Sequence, residues 1–275
     1  MSLRRAPRII LALLTAAVFL VSGCASGDHP ASPTSTPAPA GWPAALNDFT
    51  VVWTAEPGID LTLWPAVAVR AYTESYLLAD VTGDDKYLYP GFRESVDPNQ
   101  PTDHPVGTQF LWPPTDDPSK SGWIGTERAH ILSVTTSGRD VTVEACIYGF
   151  GSADLDRNGK YSPTIGAPPP DSGISPMRIT MTAPAQPNSP LPPQQGPARA
   201  PSVDVFNGWR INSHQGGYFA RSGVASDWPD FAETRDACRA KAPPHPDLVR
   251  GGEYDRATFP TLPPSPGWPA TSPQS

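Results

Sequence analysis

Apolar residues recur at helical spacing in one long stretch of the chain. In TLWPAVAVRAYTESYLLAD, residues 62–80, Val67, Ala71, Ser75 and Leu78 form a stripe beside Val69, Tyr72, Tyr76 and Leu77, which predicts a helix. Thr62 is placed to cap it, Pro65 fits only its first turn, and Gly83 supplies a stop. Downstream the period drops to two. RAHILSVTT (128–136) and DVTVEACIY (140–148) flank Ser137, Gly138 and Arg139 and predict an antiparallel hairpin. In its second strand Val141, Val143, Ala145 and Ile147 share one face, and Thr142, Glu144, Cys146 and Tyr148 the other. MRITMT (177–182) predicts a further strand, and SVDVF with WRINSH a second hairpin around Asn207 and Gly208. The intervening 183–201 holds seven prolines and reads as a long loop. A helix followed by antiparallel strands predicts an α+β domain, its N-terminal helix packed on a curved antiparallel sheet.

The start of the chain follows another pattern. Arg4, Arg5 and Arg8 precede a mainly apolar run from Ile9 to Leu20, and Val21, Ser22 and Gly23 lead to Cys24, so residues 1–23 predict a secretory signal peptide. The run is about a dozen residues, short of the roughly 20 that a membrane-crossing helix needs. Val-Ser-Gly-Cys resembles a bacterial lipobox, which implies acylation of Cys24. An ordinary signal cleaved before a cysteine is the alternative. The arginine pair lacks the sequence that would follow in a twin-arginine signal. The whole chain carries −7, and the three arginines and absent acids of the first 23 residues leave −10 beyond them. Such a chain has no bulk attraction for nucleic acid or anionic headgroups, so membrane binding is expected through acyl chains. Residues 24–45, rich in Pro, Ser and Thr, predict a disordered tether, and 46–241 the folded domain. Residues 242–275, with nine prolines, predict a disordered tail able to drape on the domain through Tyr254, Phe259 and Trp268.

Cys146 and Cys238 then remain, on a chain expected where disulfides persist. A bond between them is the expectation and two buried free thiols the alternative. The bond would close a loop of 92 residues, which chain entropy values at about 4.6 kcal/mol. The Ala- and Tyr-rich helix, the strand VTVEAC, a D-x-x-G turn and a late GWRI strand followed by a cysteine resemble a group of actinobacterial envelope lipoproteins. Their cone-shaped fold is similar to that of nuclear transport factor two. The likeness covers roughly residues 60–240, although the proline-rich loop is longer than that pattern. It implies a cone-like sheet, bonded late cysteines and no assigned activity.

Candidate chemistry is sparse. Asp154, Asp156, Asn158 and Gly159 fit the first positions of an EF-hand-type calcium loop, but Ile165 stands where the bidentate glutamate belongs. A tight turn explains the same residues without an ion and is the expectation. A weak calcium site is the alternative, with Asp171 the one later acid near enough to repair it. No other metal and no cofactor is expected. His29, His104, His130, His214 and His245 are scattered singly, and there is no G-x-S-x-G elbow, zinc pattern or phosphate-binding glycine loop. Tyr72, Tyr76, Asp80 and Glu144 are the side chains that could furnish a cone pocket, although both tyrosines fit the core stripe and Glu144 faces away from the valines. Trp42, Trp53, Trp112, Trp123, Trp228 and Trp268 lie outside or at the edges of regular elements, where they pin loops and tail or line a contact surface.

The expected function is that of a non-enzymatic binding or scaffolding module, lipid-anchored to the outer face of the cell membrane. Its partner would be an envelope protein, a glycan or a lipid, and not nucleic acid. A carrier of a small apolar ligand is the first alternative and an isomerase-like or hydrolase-like enzyme the second. A cavity of several hundred cubic ångströms would favour the carrier. A carboxylate of raised pKa beside a tyrosine would favour the enzyme.

Overall fold

The computed structural model describes residues 42–116, 122–155, 159–166, 169–186, 188–217 and 228–270. The expected signal peptide, Cys24, most of the tether, Asp156 and Asn158 lie outside them. Seven strands form one sheet: β1 (Phe49–Ala55), β2 (Trp123–Ser137), β3 (Asp140–Tyr148), β4 (Ser152–Leu155), β5 (Tyr161–Pro163), β6 (Ile174–Thr182) and β7 (Arg210–Gly216). Among the described residues three helices accompany it, α1 (Ala66–Thr82), α2 (Phe92–Ser95) and α3 (Phe231–Lys241), and the fold is α+β.

β2 is the spine. β3 and β4 lie end to end along one side of it, Arg128 opposite Tyr148 and Gly125 opposite Ser152, joined by a 3-10 turn at Gly149–Gly151. Gly125 sits at φ 92°, where a Cβ would meet the Gly151 carbonyl oxygen at 2.3 Å, so only glycine lets the two strands approach there. β6 pairs with β3, β5 with β4, and β7 with β6, all antiparallel. On its other side β2 pairs with β1, and this pair is parallel, with Phe49 opposite Gly125 and Ala55 opposite Ile131. The sheet is therefore mixed and not wholly antiparallel.

α1 ends as its sequence predicts, with Gly83 left-handed at φ 62° and its N–H bonded to the last carbonyls. Its start differs: Pro65 precedes the first helical residue and no side chain caps it. Burial also exceeds one stripe. All of α1 except Asp80 and Thr82 is buried, including Arg70 and Glu74, because the sheet covers one side and the segment 87–112 with the C-terminal tail covers the rest.

The hairpin of β2 and β3 forms around Gly138 as expected. The one expected around Asn207 and Gly208 does not. Those two residues make the left-handed turn, φ 52° and 81°, closed by the Trp209 N–H to the Phe206 carbonyl at 3.0 Å. However, residues 202–206 are not a strand, since Val205 and Phe206 are both buried in the core. Two successive residues cannot both point inward from a pleated strand. Arg210–Gly216 pairs with β6 instead.

The tail is a second correction. Residues 242–270 are packed and not disordered, with Phe259 and Trp268 buried. Single bridges join Val52 to Ser265, Tyr161 to Tyr254 and Ala198 to Trp268. Trp53 N–H also donates to the Ser265 carbonyl at 2.6 Å. Proline removes donors but leaves carbonyls, so a proline-rich strap can still accept from an open strand edge.

Both faces of the sheet are covered. The principal core lies between α1 and the sheet. On the opposite face Cys146, Tyr148, Phe150, Ile174, Leu248 and Phe259 gather around Cys238 of α3. Cys146 and Cys238 are disulfide-bonded, with Cα atoms 5.4 Å apart.

Candidate functional site

Two buried polar constellations lie along α1. The first joins Arg70 and Glu74, one helical turn apart. Arg70 donates through Nη1 to the carbonyls of Leu61 (2.7 Å) and Gln194 (3.0 Å), and through Nη2 to those of Pro266 (2.5 Å) and Gly267 (3.0 Å). Its guanidinium lies 4.3 Å from the centroid of the Trp268 ring. The Glu74 carboxylate accepts from Trp53 Nε1 (2.9 Å), Tyr89 Oη (3.0 Å) and Trp268 Nε1 (2.7 Å). Burial pushes the Glu74 pKa up against the pull of Arg70 and those three donors, and burial also lowers that of Arg70. This network holds the tail against α1, and most of its atoms are committed.

The second constellation is not satisfied. Thr73 and Tyr76 of α1, Glu127 of β2, Ile147 of β3, Met177 of β6, His214 of β7 and Gly217 line a small cavity of about 10 Å³. Glu127 Oε2 and His214 Nε2 are buried there without a hydrogen-bond partner among the described residues. Burial, reinforced by the charge of Glu74, pushes the Glu127 carboxyl up to about 8. Burial pulls the His214 imidazole down to about 4. The Tyr72 hydroxyl donates to the Leu111 carbonyl at 3.1 Å and lies 2.9 Å from His214 Nδ1. The Gly216 backbone also hydrogen-bonds this ring; with the Tyr72 proton given to Leu111, the assigned tautomer carries its proton on Nδ1 and leaves Nε2 to accept.

The residues named from sequence are dispersed. Tyr72 and Tyr76 are in the core, as their stripe implied, and Tyr76 alone of the four pocket candidates lines the cavity. Asp80 is half-buried near the end of α1. Glu144 is on the opposite sheet face, accepting from Ser133, Trp228 and Thr234. His130 bonds Glu56 and Thr54, His104 is exposed, and His245 stacks on Phe150 at 4.1 Å between centroids. Of the calcium candidates, Asp154 lies in β4 opposite Ser162. Asp171 is held by Arg239 at 2.5 and 2.7 Å and is not free to repair the loop. Among the described residues no cluster of acids, His or Cys could hold a metal, and no helix is long and apolar enough to cross a membrane.

The six tryptophans singled out from the sequence, among the eight in the chain, are buried or half-buried, which matches a pinning role. Glu127, Arg70 and Glu74 are the residues that sequence reasoning missed. Glu127 shares its alternation parity with Ala129 and Ile131, and Arg70 and Glu74 stand four apart in an otherwise apolar helix. Both patterns mark charges on buried faces.

The surface carries a separate cleft of about 310 Å³, lined chiefly by Phe150, Ile165, Pro169, Pro170, His245 and Leu248. Fold and site together define a two-faced α+β domain, strapped by its own tail, with an acid and a base buried under its helix. No protein-family model matches the chain, and no curated protein and no solved structure matches it significantly.

Proposed function

We propose that this protein is a lipid-anchored extracytoplasmic binding or scaffolding module, acylated at Cys24, of the kind found among envelope lipoproteins with a cone-like fold. The observation that carries this reading is the filled interior. A carrier pocket needs about 300 Å³ or more, whereas the cavity under α1 is about 10 Å³. The larger concavity, about 310 Å³, lies on the outside and is lined by proline, aromatic and aliphatic side chains together with Ser172 and Asp247. A rigid domain that offers its exterior is suited to a partner, and a tether at the membrane raises its effective concentration there. The signal-like first 23 residues and the cystine support the location.

Cells expressing the full chain and fed an alkyne-bearing fatty acid should label the wild type and not Cys24→Ala. An unlabelled wild type overturns the anchor. A photo-crosslinking residue at exposed Val249, on the rim of the outer cleft, should trap a discrete envelope component in intact cells. One at exposed Asp103 should not. Equal patterns from both positions overturn the cleft as the contact surface.

The enzyme reading retains one specific observation, a carboxyl of raised pKa in a cavity that Tyr76 also lines.

A further inference from the structure

Four neighbouring strands of the sheet each place one residue against the same small cavity: Glu127 from β2, Ile147 from β3, Met177 from β6 and His214 from β7. α1 closes it with Thr73 and Tyr76. A packed core would fill such a space with a methyl group. Here two polar atoms, Glu127 Oε2 and His214 Nε2, stay buried and unbonded among the described residues, and each is costly to leave so if nothing meets it. A water molecule needs about 10–15 Å³ of such space and two or more polar partners. The cavity has that room, about 10 Å³. Gly217 leaves it open, since a Cβ there would stand 3.4 Å from His214 Nε2 and 3.6 Å from Met177 Sδ.

We propose that the cavity is a buried acid–base site for a single water molecule, which accepts a hydrogen bond from the Glu127 carboxylic acid and donates one to His214 Nε2. The ring tautomer agrees, because Nδ1 is committed to the Tyr72 hydroxyl. So do the charge preferences, which keep Glu127 protonated and His214 neutral near neutral pH. Among the described residues the groups around the pair are Tyr72, Thr73, Tyr76 and Glu74 from α1, with Arg70 behind Glu74, the Gly216 backbone from β7, and the apolar Ile147 and Met177 from β3 and β6. The neutral pair is the resting state, because moving the Glu127 proton through the water to Nε2 would create a carboxylate and an imidazolium in surroundings that disfavour both charges. An apolar core would not contain such a site.

A crystal structure of the wild-type domain at about 1.5 Å should show a water within about 3 Å of both atoms. Nitrogen-15 NMR near pH 7 should report His214 Nε2 as unprotonated and Nδ1 as protonated. Glu127→Gln should keep the water, since its amide still donates, and Glu127→Met should lose it. A dry wild-type cavity, a His214 carrying its proton on Nε2, or a Glu127 carboxyl carbon titrating near the usual glutamate value each overturns the proposal. The wild-type measurements decide even if a variant does not fold.

Discussion

Glu127 and His214 respond to pH in opposite senses. An acid whose folded pKa is raised stabilises the fold fully below its unfolded value of 4.5 and loses that contribution as pH climbs through about 8. An imidazole whose folded pKa is depressed contributes fully above 6.5 and loses that as pH falls through about 4. The two slopes, each about 1.4 kcal/mol per pH unit, cancel between about 4.5 and 6.5 and leave a net loss from about 6.5 to 8. Urea unfolding across that range should therefore show Glu127→Gln gaining on the wild type as pH rises, with the difference levelling off above about 8. A difference that does not change with pH would place Glu127 in contact with solvent. Arg70 is the other decisive residue. Arg70→Met strands four carbonyls and leaves Glu74 without its neighbouring cation. The expected loss is about 3–5 kcal/mol, read from the denaturation midpoint. Sequence made such residues only partly legible. The stripe placed Tyr72 and Tyr76 correctly in the core, because core packing and periodicity are the same fact. Glu127 was marked only by its parity with Ala129 and Ile131, a weaker signal, since a charged side chain at a buried parity also reads as an irregularity of the strand.

Elements were readable where a local pattern alone decides them. α1 with its Gly83 stop, the hairpin across Gly138, and β6 all follow from residues close in sequence. β1 did not stand out: its mate is β2, more than 70 residues on, and its FTVVWTA is buried on both sides along much of its length, which erases alternation. The tail's draping through Tyr254, Phe259 and Trp268 was legible and its order was not, for the converse reason. Its composition cannot form regular structure, yet its order comes from edges and indoles supplied elsewhere. The strap covers β1 at Ser265 and β5 at Tyr254, while Val96 bridges to Ile211 of β7. Open strand edges are templates for association. Removing residues 255–270 should therefore do more than destabilise: light scattering should show oligomers or aggregates where the full chain is monodisperse. Trp268→Ala, which keeps the strap but removes a buried ring, should cost about 3–5 kcal/mol. A truncated chain that stays soluble and equally stable would show that the strap is decoration.

At the scale of the molecule, one sheet separates two cores, and the covalent link belongs to the lesser of them. The bond from Cys146 to Cys238 ties α3 to the outer face of β3. Replacing both cysteines by serine should lower the unfolding free energy by up to about 4.6 kcal/mol without altering the α1 core, so near-ultraviolet signals from Trp53 and Trp268 should survive at low denaturant. The cysteines and the class of fold were foreseeable because pairing options were few and elements came in order. The mixed sheet and the double covering were not, because both depend on segments far apart in the chain. The same separation governs when the domain can form. Glu74 receives the Trp268 indole across 194 positions, and Arg70 reaches carbonyls as distant. A nascent chain that has not yet reached the strap would strand both charges in apolar surroundings, so ribosome-arrested chains ending before Gly267 should remain protease-sensitive. Such a polypeptide cannot close its core until the strap has been made, so the architecture itself postpones folding.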